Sequence, residues 1–255
     1  MATETKPKRG CVERIIPWEY EAEAKAIALA ENPANGGDPE APPGQRIALV
    51  KRKMWRAGRT LRVRFLDGSD ALQQRVADRA GEWTRHANLR FEFGDDPRAE
   101  IRVSFTFDPG SAWSALGTDA LVERYFPRHQ PTMSLGWLDD DTDPQELSRV
   151  VLHEFGHALG CVHEHQNPAG GIRWNESAVI AHFSGWPNHW DEDAIRFNVL
   201  DKYSRGQLNG TEFDPDSIML YAFPPELTQD GVGTKENAEL SAKDAAFIRR
   251  AYPAP

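Results

Sequence analysis

Three histidines and a glutamate between Glu146 and His163 are spaced so that they could hold a metal ion and activate water. His153 and His157 are four residues apart and therefore project from the same side of a helix. A helix rises about 1.5 Å per residue, so the two imidazoles lie roughly 6 Å apart along its axis, which two ligands of one tetrahedral zinc can span. Gly160 can end the helix in the left-handed conformation, after which His163 can return as a third ligand. The spacing predicts a three-histidine zinc site.

Glu154 directly follows the first of these histidines, and its carboxylate would lie beside the metal instead of binding it. There it can take a proton from a zinc-bound water, which is the role of a general base in hydrolysis. Two other interpretations remain open. The histidines could be an exposed set at a helix end that holds no metal, or the site could bind zinc without turnover.

The complete string HExxHxxGxxH, from His153 to His163, resembles the signature of the metzincin zinc metalloproteases. This resemblance implies a methionine in a tight turn below the metal, and the segment SIMLY supplies Met219. Tyr221 matches the tyrosine that astacin-like and serralysin-like members place next to the metal. Such a phenol would ligate zinc weakly at rest and then donate a hydrogen bond to the oxyanion. Taken alone, Met219 also fits a core residue and Tyr221 a packing residue.

Glu164 directly follows the third histidine, which is similar to the astacin pattern, in which that glutamate anchors the mature N-terminus. Leu220 stands where astacins usually carry histidine, and the chain lacks the disulfide cysteines of secreted astacins. The chain therefore resembles an astacin-related metzincin of the bacterial or fungal type. This implies an α+β, zincin-like fold: a mixed twisted β-sheet with the active-site helix above the cleft, and an irregular lower subdomain that ends in a C-terminal helix.

The start of the zinc helix can be predicted from capping residues. Asp143 is a typical N-cap, Pro144 suits the first helical position, and Glu146 suits the third. Asp143 also closes the acidic run DDDTD at 139–143, which could hold calcium. We favour the capping interpretation, because a solvated acidic loop before a helix is common.

Strands and one helix are predicted upstream of the zinc helix. Alternating apolar residues indicate a strand at 60–66, an amphipathic pattern indicates a helix at 69–88, and two more strands follow at 89–93 and 101–107. This order predicts a mixed sheet with a helix packed on it. The segment 132–136 lies where metzincins have the edge strand along which substrate binds antiparallel, so we expect it at the sheet edge.

Downstream of the zinc site, the sequence predicts helices at 176–183 and from Ser241 to the C-terminus. Ser241 and Asp244 form a capping box, with an apolar face behind them. His165, two residues past the third histidine, is expected to have an outer-shell or surface role, since the ligand set is already complete.

Residues 1–45 are predicted to be an N-terminal extension or short prosegment that precedes a catalytic domain at 46–255. Within the extension we expect a helix at 18–31, followed by a Pro/Gly-rich linker. Cys11 raises the hypothesis of a cysteine switch, in which its thiolate occupies the fourth zinc position. The alternative is an inert or solvent-facing thiol. A disulfide between Cys11 and Cys161 is conceivable, although we expect Cys161 to be a small buried hydrophobe.

The composition restricts the remaining properties. The chain has 255 residues, 40% of them hydrophobic, and a net charge of −9, which gives no reason to expect nucleic acid or an anionic membrane as a partner. No stretch approaches the roughly 18 apolar residues of a membrane span. The N-terminus lacks a secretory leader, so we expect a cytoplasmic monomer by default, with leaderless export as an alternative.

These features together predict a zinc-dependent endopeptidase that acts on protein or peptide substrates. His153, His157 and His163 would bind Zn²⁺, and Glu154 and Tyr221 would be the catalytic residues. Two alternatives remain: a catalytically silent, zinc-stabilised module that binds peptides or proteins, and a zinc hydrolase of a non-peptide acyl substrate.

Overall fold

The computed structural model describes residues 11, 14–36, 47–50, 53–167, 170–186, 188–202, 208–209 and 212–255. Its helices are α1 Glu21–Glu31, α2 Asp70–Thr84, α3 Pro144–Ala158, α4 Glu176–Ser184, α5 Glu192–Ile195 and α6 Ala242–Ala251. Its strands are β1 Ile47–Val50, β2 Thr60–Phe65, β3 Arg90–Phe93, β4 Ile101–Ser104, β5 Ala112–Ser114, β6 Met133–Leu135 and β7 Leu208–Asn209. The predicted helices and the strands before the zinc helix are present. The predicted domain boundary near 46 lies outside the described residues and stays a prediction.

The main sheet has five strands in the order β3-β2-β4-β6-β5. The pairs β2–β3, β2–β4 and β4–β6 are parallel, and the pair β5–β6 is antiparallel. The sheet is therefore mixed, and the predicted α+β fold is confirmed.

The prediction that the segment 132–136 forms the sheet edge is wrong. Strand β6 lies between β4 and β5, and its Met133 and Leu135 are fully buried. The edge strand is β5, which precedes β6 in the chain but pairs outside it. Both segments are short and apolar, so their order in the sequence could not show which one lies outside.

Helix α3 begins where its capping residues predict. The Asp143 side chain accepts hydrogen bonds from the backbone N–H groups of Gln145 and Glu146, at 2.9 and 3.2 Å. Pro144 occupies the first helical position. Among the residues that the structure describes, the acidic run at 139–143 is not part of any group arranged to hold a metal. The predicted cap at Asp143 is therefore confirmed.

Large side chains anchor the C-terminal half of α3 through backbone carbonyls. Trp83 donates its indole N–H to Leu152 O and Trp55 donates to Ala158 O, both at 2.8 Å. The Tyr252 hydroxyl donates to Leu159 O at 2.7 Å. The last four carbonyls of a helix lack partners within it, so the donors to Ala158 O and Leu159 O satisfy buried acceptors at the end of α3.

A second apolar cluster lies apart from the main core and contains Trp174, Val179, Ile195, Val199, Phe223 and Leu227. These residues come from α4, α5 and the loops around them, which agrees with the predicted irregular lower part. The C-terminal helix α6 has the predicted capping box between Ser241 and Asp244. Along the described parts of the chain, every helix is too short or too polar to cross a membrane. This gives no support to a cytoplasmic location, which stays a prediction.

Candidate active site

Backbone carbonyls orient the first two predicted zinc ligands. His153 Nδ1 lies 2.8 Å from Ile218 O, and His157 Nδ1 lies 2.8 Å from Cys161 O. A carbonyl can only accept a hydrogen bond, so both Nδ1 atoms carry the proton and both Nε2 atoms have a free lone pair. Each imidazole is thereby held in the tautomer that ligates a metal through Nε2.

The chain turns after α3 so that the third histidine joins the first two. Gly160 has a φ of +92°, a conformation that favours glycine, and it begins the return of the chain to His163. The Nε2 atoms of His157 and His163 are 3.1 Å apart. Two nitrogens about 2.0–2.1 Å from one tetrahedral zinc would be about 3.3 Å apart, so this spacing fits that ion.

The donor set matches zinc in chemistry as well as in spacing. His153 Nε2 is buried and has no hydrogen-bond partner among the described residues, which is costly for a polar atom unless a metal binds it. The ligand atoms of His153, His157, His163 and Cys11 all lie within 4.8 Å of one another. Imidazole and thiolate are the ligand types that zinc prefers, so the cofactor of this site is Zn²⁺.

Burial keeps the histidines neutral. Desolvation lowers the pKa of His157 to about 4 and lowers the pKa values of His153 and His163 well below the usual value. Because only a neutral imidazole has a lone pair for a metal, these side chains are ready to ligate at neutral pH. The open alternative of exposed, unliganded histidines is wrong, since all three are at most 4% exposed.

Glu154 lies within the same buried site. Its side chain is 1% exposed, and burial raises the pKa of its carboxyl to about 8, although the Cys11 hydrogen bond and the Arg149 charge act in the opposite direction. Cys11 Sγ donates to Glu154 Oε2 at 3.4 Å. The carboxylate thus lies beside the histidine cluster without belonging to it, as the sequence predicts.

Tyr221 also reaches the histidine cluster. Its hydroxyl oxygen is 2.7 Å from His163 Nε2, and the hydroxyl donates to Cys11 O at 2.6 Å. Its ring centroid is 4.4 Å from that of His163. The structure therefore brings together all five residues that the sequence nominated: His153, Glu154, His157, His163 and Tyr221.

Met219 packs directly against the zinc helix. A Cβ on Gly156 would lie 2.4 Å from the Met219 sulfur, so only glycine permits this close approach. Met219 O accepts from Glu164 N at 2.9 Å, which links the turn to the segment just after the third histidine. This position agrees with the methionine below the metal that the metzincin resemblance implies.

Asp244 holds the methionine turn in place, a role that the sequence did not reveal. Its carboxylate accepts from the Ser217 hydroxyl and from Ile218 N, both at 2.8 Å, while it also caps α6. Ile218 in turn orients His153 through its carbonyl. The capping-box pattern explained Asp244 fully as a helix cap, so no sequence signal remained for this second function.

Glu164 is buried and bonded within the protein. It accepts from Asp214 N at 2.9 Å and from Asn167 Nδ2 at 3.1 Å, and burial raises the pKa of its carboxyl to about 7. Glu164 also borders a cavity of about 20 Å³, which Met219 and Asp244 help to line. The anchoring of a mature N-terminus by Glu164 stays a prediction.

His165 lies behind the third histidine. It is 1% exposed, its Nε2 lies 2.9 Å from Asn198 O, and its ring stacks on that of His163 with centroids 5.2 Å apart. The predicted surface role is therefore wrong, and the outer-shell alternative fits. His165 supports one face of His163, and Phe223 packs edge-on against His165.

Cys11, which belongs to the predicted N-terminal extension (residues 1–45, here the N-terminal segment), enters the site. Cys11 is 4% exposed, so the solvent-facing alternative is wrong. Parallel bridges pair Cys11 with Ala112 and Arg14 with Ala115, which places this segment along the edge strand β5. Neither Cys11 nor Cys161 is part of a disulfide, so the conceivable bridge between them is not formed.

Comparison with solved structures shows that the chain is strongly similar to myroilysin. One structure of myroilysin has 38% sequence identity and a TM-score of 0.77, and the match covers 81% of this chain and 98% of that chain. A crystal structure of myroilysin has 32% identity and a TM-score of 0.59, with 96% and 100% of the two chains covered. High choriolytic enzyme 1, a hatching enzyme zinc-protease from the medaka Oryzias latipes, shares the fold at 15% identity and a TM-score of 0.50, over 84% and 98% of the chains.

Curated relatives are more distant. Nematocyst expressed protein 6 of Nematostella vectensis is 27% identical over 179 residues, which are 70% of this chain and 54% of that protein. Serralysin B of Dickeya chrysanthemi is 27% identical over 138 residues, which are 49% of this chain and 28% of that protein. The chain thus spans about half or less of the length of these relatives. No protein-family model matches it.

Proposed function

Since the chain belongs to the astacin-like metzincin family of zinc metalloproteases, we propose that it is a zinc-dependent endopeptidase that cleaves peptide bonds within protein or peptide substrates. The observation that carries the proposal is the convergence of three buried imidazoles with a buried glutamate beside them, where His153 Nε2 has no partner in the described part of the chain. A zinc site that served stability alone would have no use for that carboxylate.

His153, His157 and His163 would hold the ion. Zinc bound by these three residues would supply a Lewis acid for the scissile carbonyl and would lower the pKa of the attacking water. Glu154 takes the proton from that water and then passes it to the nitrogen of the leaving amine. Because its carboxylate is buried beside the histidines, the proton is moved within the site and not through bulk solvent.

Tyr221 would stabilise the transition state. Its hydroxyl donates to the backbone carbonyl of Cys11, which is the same kind of acceptor as the scissile carbonyl of a substrate. Once the N-terminal segment has left, the phenol can donate to the substrate oxygen as negative charge develops on it. His163 and His165 flank the ring and limit its position.

Cys11 would keep the unprocessed chain inactive. Its sulfur belongs to the same ligand cluster as the three histidines and also donates to Glu154. As a fourth zinc ligand, its thiolate would exclude the catalytic water. These contacts favour the cysteine switch over an inert thiol, and residues 1–45 would then act as an inhibitory prosegment.

Casein digestion tests the proposal against its alternatives. Wild type freed of its N-terminal segment should digest casein, and Glu154→Gln should lose at least about a thousandfold in rate with equal zinc content. Wild type that binds zinc but cleaves neither casein nor peptides would favour a silent binding module. Cleavage of ester substrates without any peptide hydrolysis would favour the non-peptide acyl hydrolase.

A further inference from the structure

Arg14 of the N-terminal segment occupies a pocket on the catalytic domain. Its guanidinium carbon lies 4.3 Å from the centroid of the Trp113 ring, and its Nη2 lies 3.4 Å from Asp108 Oδ2. An aromatic face and a carboxylate together recognise a planar cation. The arginine and aspartate side chains are each about one-third exposed, so the pocket opens to solvent and is not part of the core.

Residues of the catalytic domain hold this pocket in shape without help from Arg14. The Trp113 indole N–H donates to Asp108 Oδ2 at 3.0 Å, and Ser111 N donates to Asp108 O at 3.1 Å. The Trp113 ring stacks on Phe126 and meets the edge of Phe107, with centroids 6.4 and 6.3 Å apart. Both the carboxylate and the aromatic face therefore remain in position when the N-terminal segment leaves.

The pocket lies along the cleft close to the metal ligands. Cys11 joins the histidine cluster, and Arg14 is three residues further along the same segment, which bridges β5 at Ala112 and Ala115. A strand advances about 3.3 Å per residue, so Ala112 and Ala115, and the two residues bridged to them, lie about 10 Å apart along β5. A peptide bound along β5 with its scissile bond at the metal would place a side chain there two to four residues from that bond.

We propose that Asp108 and Trp113 form a specificity pocket for a basic side chain of the substrate, which Arg14 fills in the unprocessed chain. The inference rests on the proposed endopeptidase activity and adds a substrate class to it. Arginine is preferred to lysine, because its guanidinium can stack on the indole while it pairs with the carboxylate. Acidic side chains are disfavoured by the charge of Asp108.

Matched peptides test this pocket. The full-length, zinc-loaded chain is cut by limited trypsin digestion after Arg46, the first trypsin site beyond the Pro/Gly-rich linker. The trypsin is then blocked with a serine-protease inhibitor, and the N-terminal segment is removed so that Arg14 cannot compete. Peptides of one parent sequence then carry Arg, Lys, Ala or Glu at each position two to four residues on either side of the cleaved bond. At one position, we expect kcat/KM to be about tenfold higher for Arg than for Ala, with Lys between them.

Variants assign the preference to the pocket. Asp108→Asn keeps an oxygen that can accept from the Trp113 indole and removes the charge, so its Arg-to-Ala ratio should fall to within about twofold of unity. Asp108→Lys should reverse the preference towards Glu. Asp230→Asn is the matched control, because Asp230 is an exposed acid that pairs with Arg173, and it should retain the wild-type ratio.

The outcomes separate this inference from the proposed function. If wild type cleaves the peptides with equal kcat/KM for Arg and Ala at every position, the pocket is only a brace for the N-terminal segment and the inference fails. A preference that persists unchanged in Asp108→Asn would also overturn it. If no peptide is cleaved in a zinc-dependent manner, the endopeptidase proposal itself fails, and the inference fails with it.

Discussion

The chemistry of the site depends on hydrogen bonds that fix each side chain before any ligand binds. Two backbone carbonyls, Ile218 O and Cys161 O, select the tautomers of His153 and His157. The rings of His165 and Tyr221 both pack against His163 and also contact each other. This preorganisation means that the imidazoles need little rearrangement to bind a metal.

Substitution of Tyr221 by Phe removes one donor and leaves the ring in place. We expect kcat to fall by about a hundredfold with a small change in KM, because the phenol acts on the oxyanion and not on the bound substrate. Steady-state kinetics on a peptide and zinc analysis of the same sample measure this. Tyr125→Phe, a half-buried ring packed on Phe126, is the control. Equal kcat values for Tyr221→Phe and wild type would exclude Tyr221 from catalysis.

Substitution of Cys11 by Ala should activate the unprocessed chain. Without the thiol, the fourth position of the zinc site is open to water, so freshly purified full-length Cys11→Ala should hydrolyse peptides at least about tenfold faster than full-length wild type. Cys161→Ala changes the other free cysteine and should stay as inactive as wild type. Unchanged activity and unchanged self-processing in Cys11→Ala would end the switch hypothesis.

At the scale of elements, the zinc helix is fixed from both the core and the methionine turn. Trp83 and Trp55 hold its C-terminal carbonyls, and Met219 packs against Gly156 without room for a Cβ. Asp244 connects α6 to this turn, and through Ile218 to His153. Asp244, which caps the last helix, therefore also supports the metal site.

Asp244→Ala should weaken zinc binding without touching a ligand. The loss of two buried hydrogen bonds to the methionine turn should lower the free energy of unfolding by about 2–4 kcal/mol and zinc affinity by about 10- to 100-fold. Thermal unfolding and competition with a fluorescent zinc chelator measure the two effects. Asp70→Ala, at the first turn of α2, is the control and should leave zinc affinity unchanged. Wild-type zinc affinity in Asp244→Ala would contradict the proposed linkage.

Local elements could be predicted from the sequence, and long-range placements could not. The cap at Asp143 and the shared helix face of His153 and His157 depend on residues only a few positions apart. The local sequence pattern therefore predicts both. The edge position of β5 depends on whether β5 or β6 pairs with β4, which is decided by tertiary packing. The contact of Cys11 with Glu154, more than 140 positions away in the chain, depends on tertiary packing. No local sequence pattern predicts it.

At the scale of the whole molecule, charged side chains link the neighbouring strands β2 and β4 of the sheet. Glu100 is 3% exposed and accepts from Arg62 N and Nε and from Arg59 Nη2, at 2.9, 3.1 and 3.0 Å. Burial acts to raise the pKa of Glu100, but the hydrogen bonds and charge of Arg62 outweigh it and hold the pKa below its usual value. The folded state therefore favours the ionised carboxylate.

The stability of Glu100→Gln should depend on pH. A carboxyl whose pKa is lowered on folding stabilises the protein above its unfolded pKa of about 4.3, and this contribution is lost as the pH falls through the folded value. At pH 7 we expect Glu100→Gln to unfold about 1–3 kcal/mol more easily than wild type, and the difference should shrink below about pH 4. Urea unfolding across this range measures it, with the exposed Glu92→Gln as control. A difference that is constant with pH would rule out the ionised carboxylate as its source.

X-ray absorption at the zinc edge of the full-length chain tests the central claim most directly. We expect one zinc per chain, with three imidazole nitrogens at about 2.0–2.1 Å and one sulfur at about 2.3 Å, and loss of the sulfur in Cys11→Ala. A chain that retains no zinc, or a coordination shell with fewer than three imidazoles, would contradict the assignment of His153, His157 and His163 as the metal site.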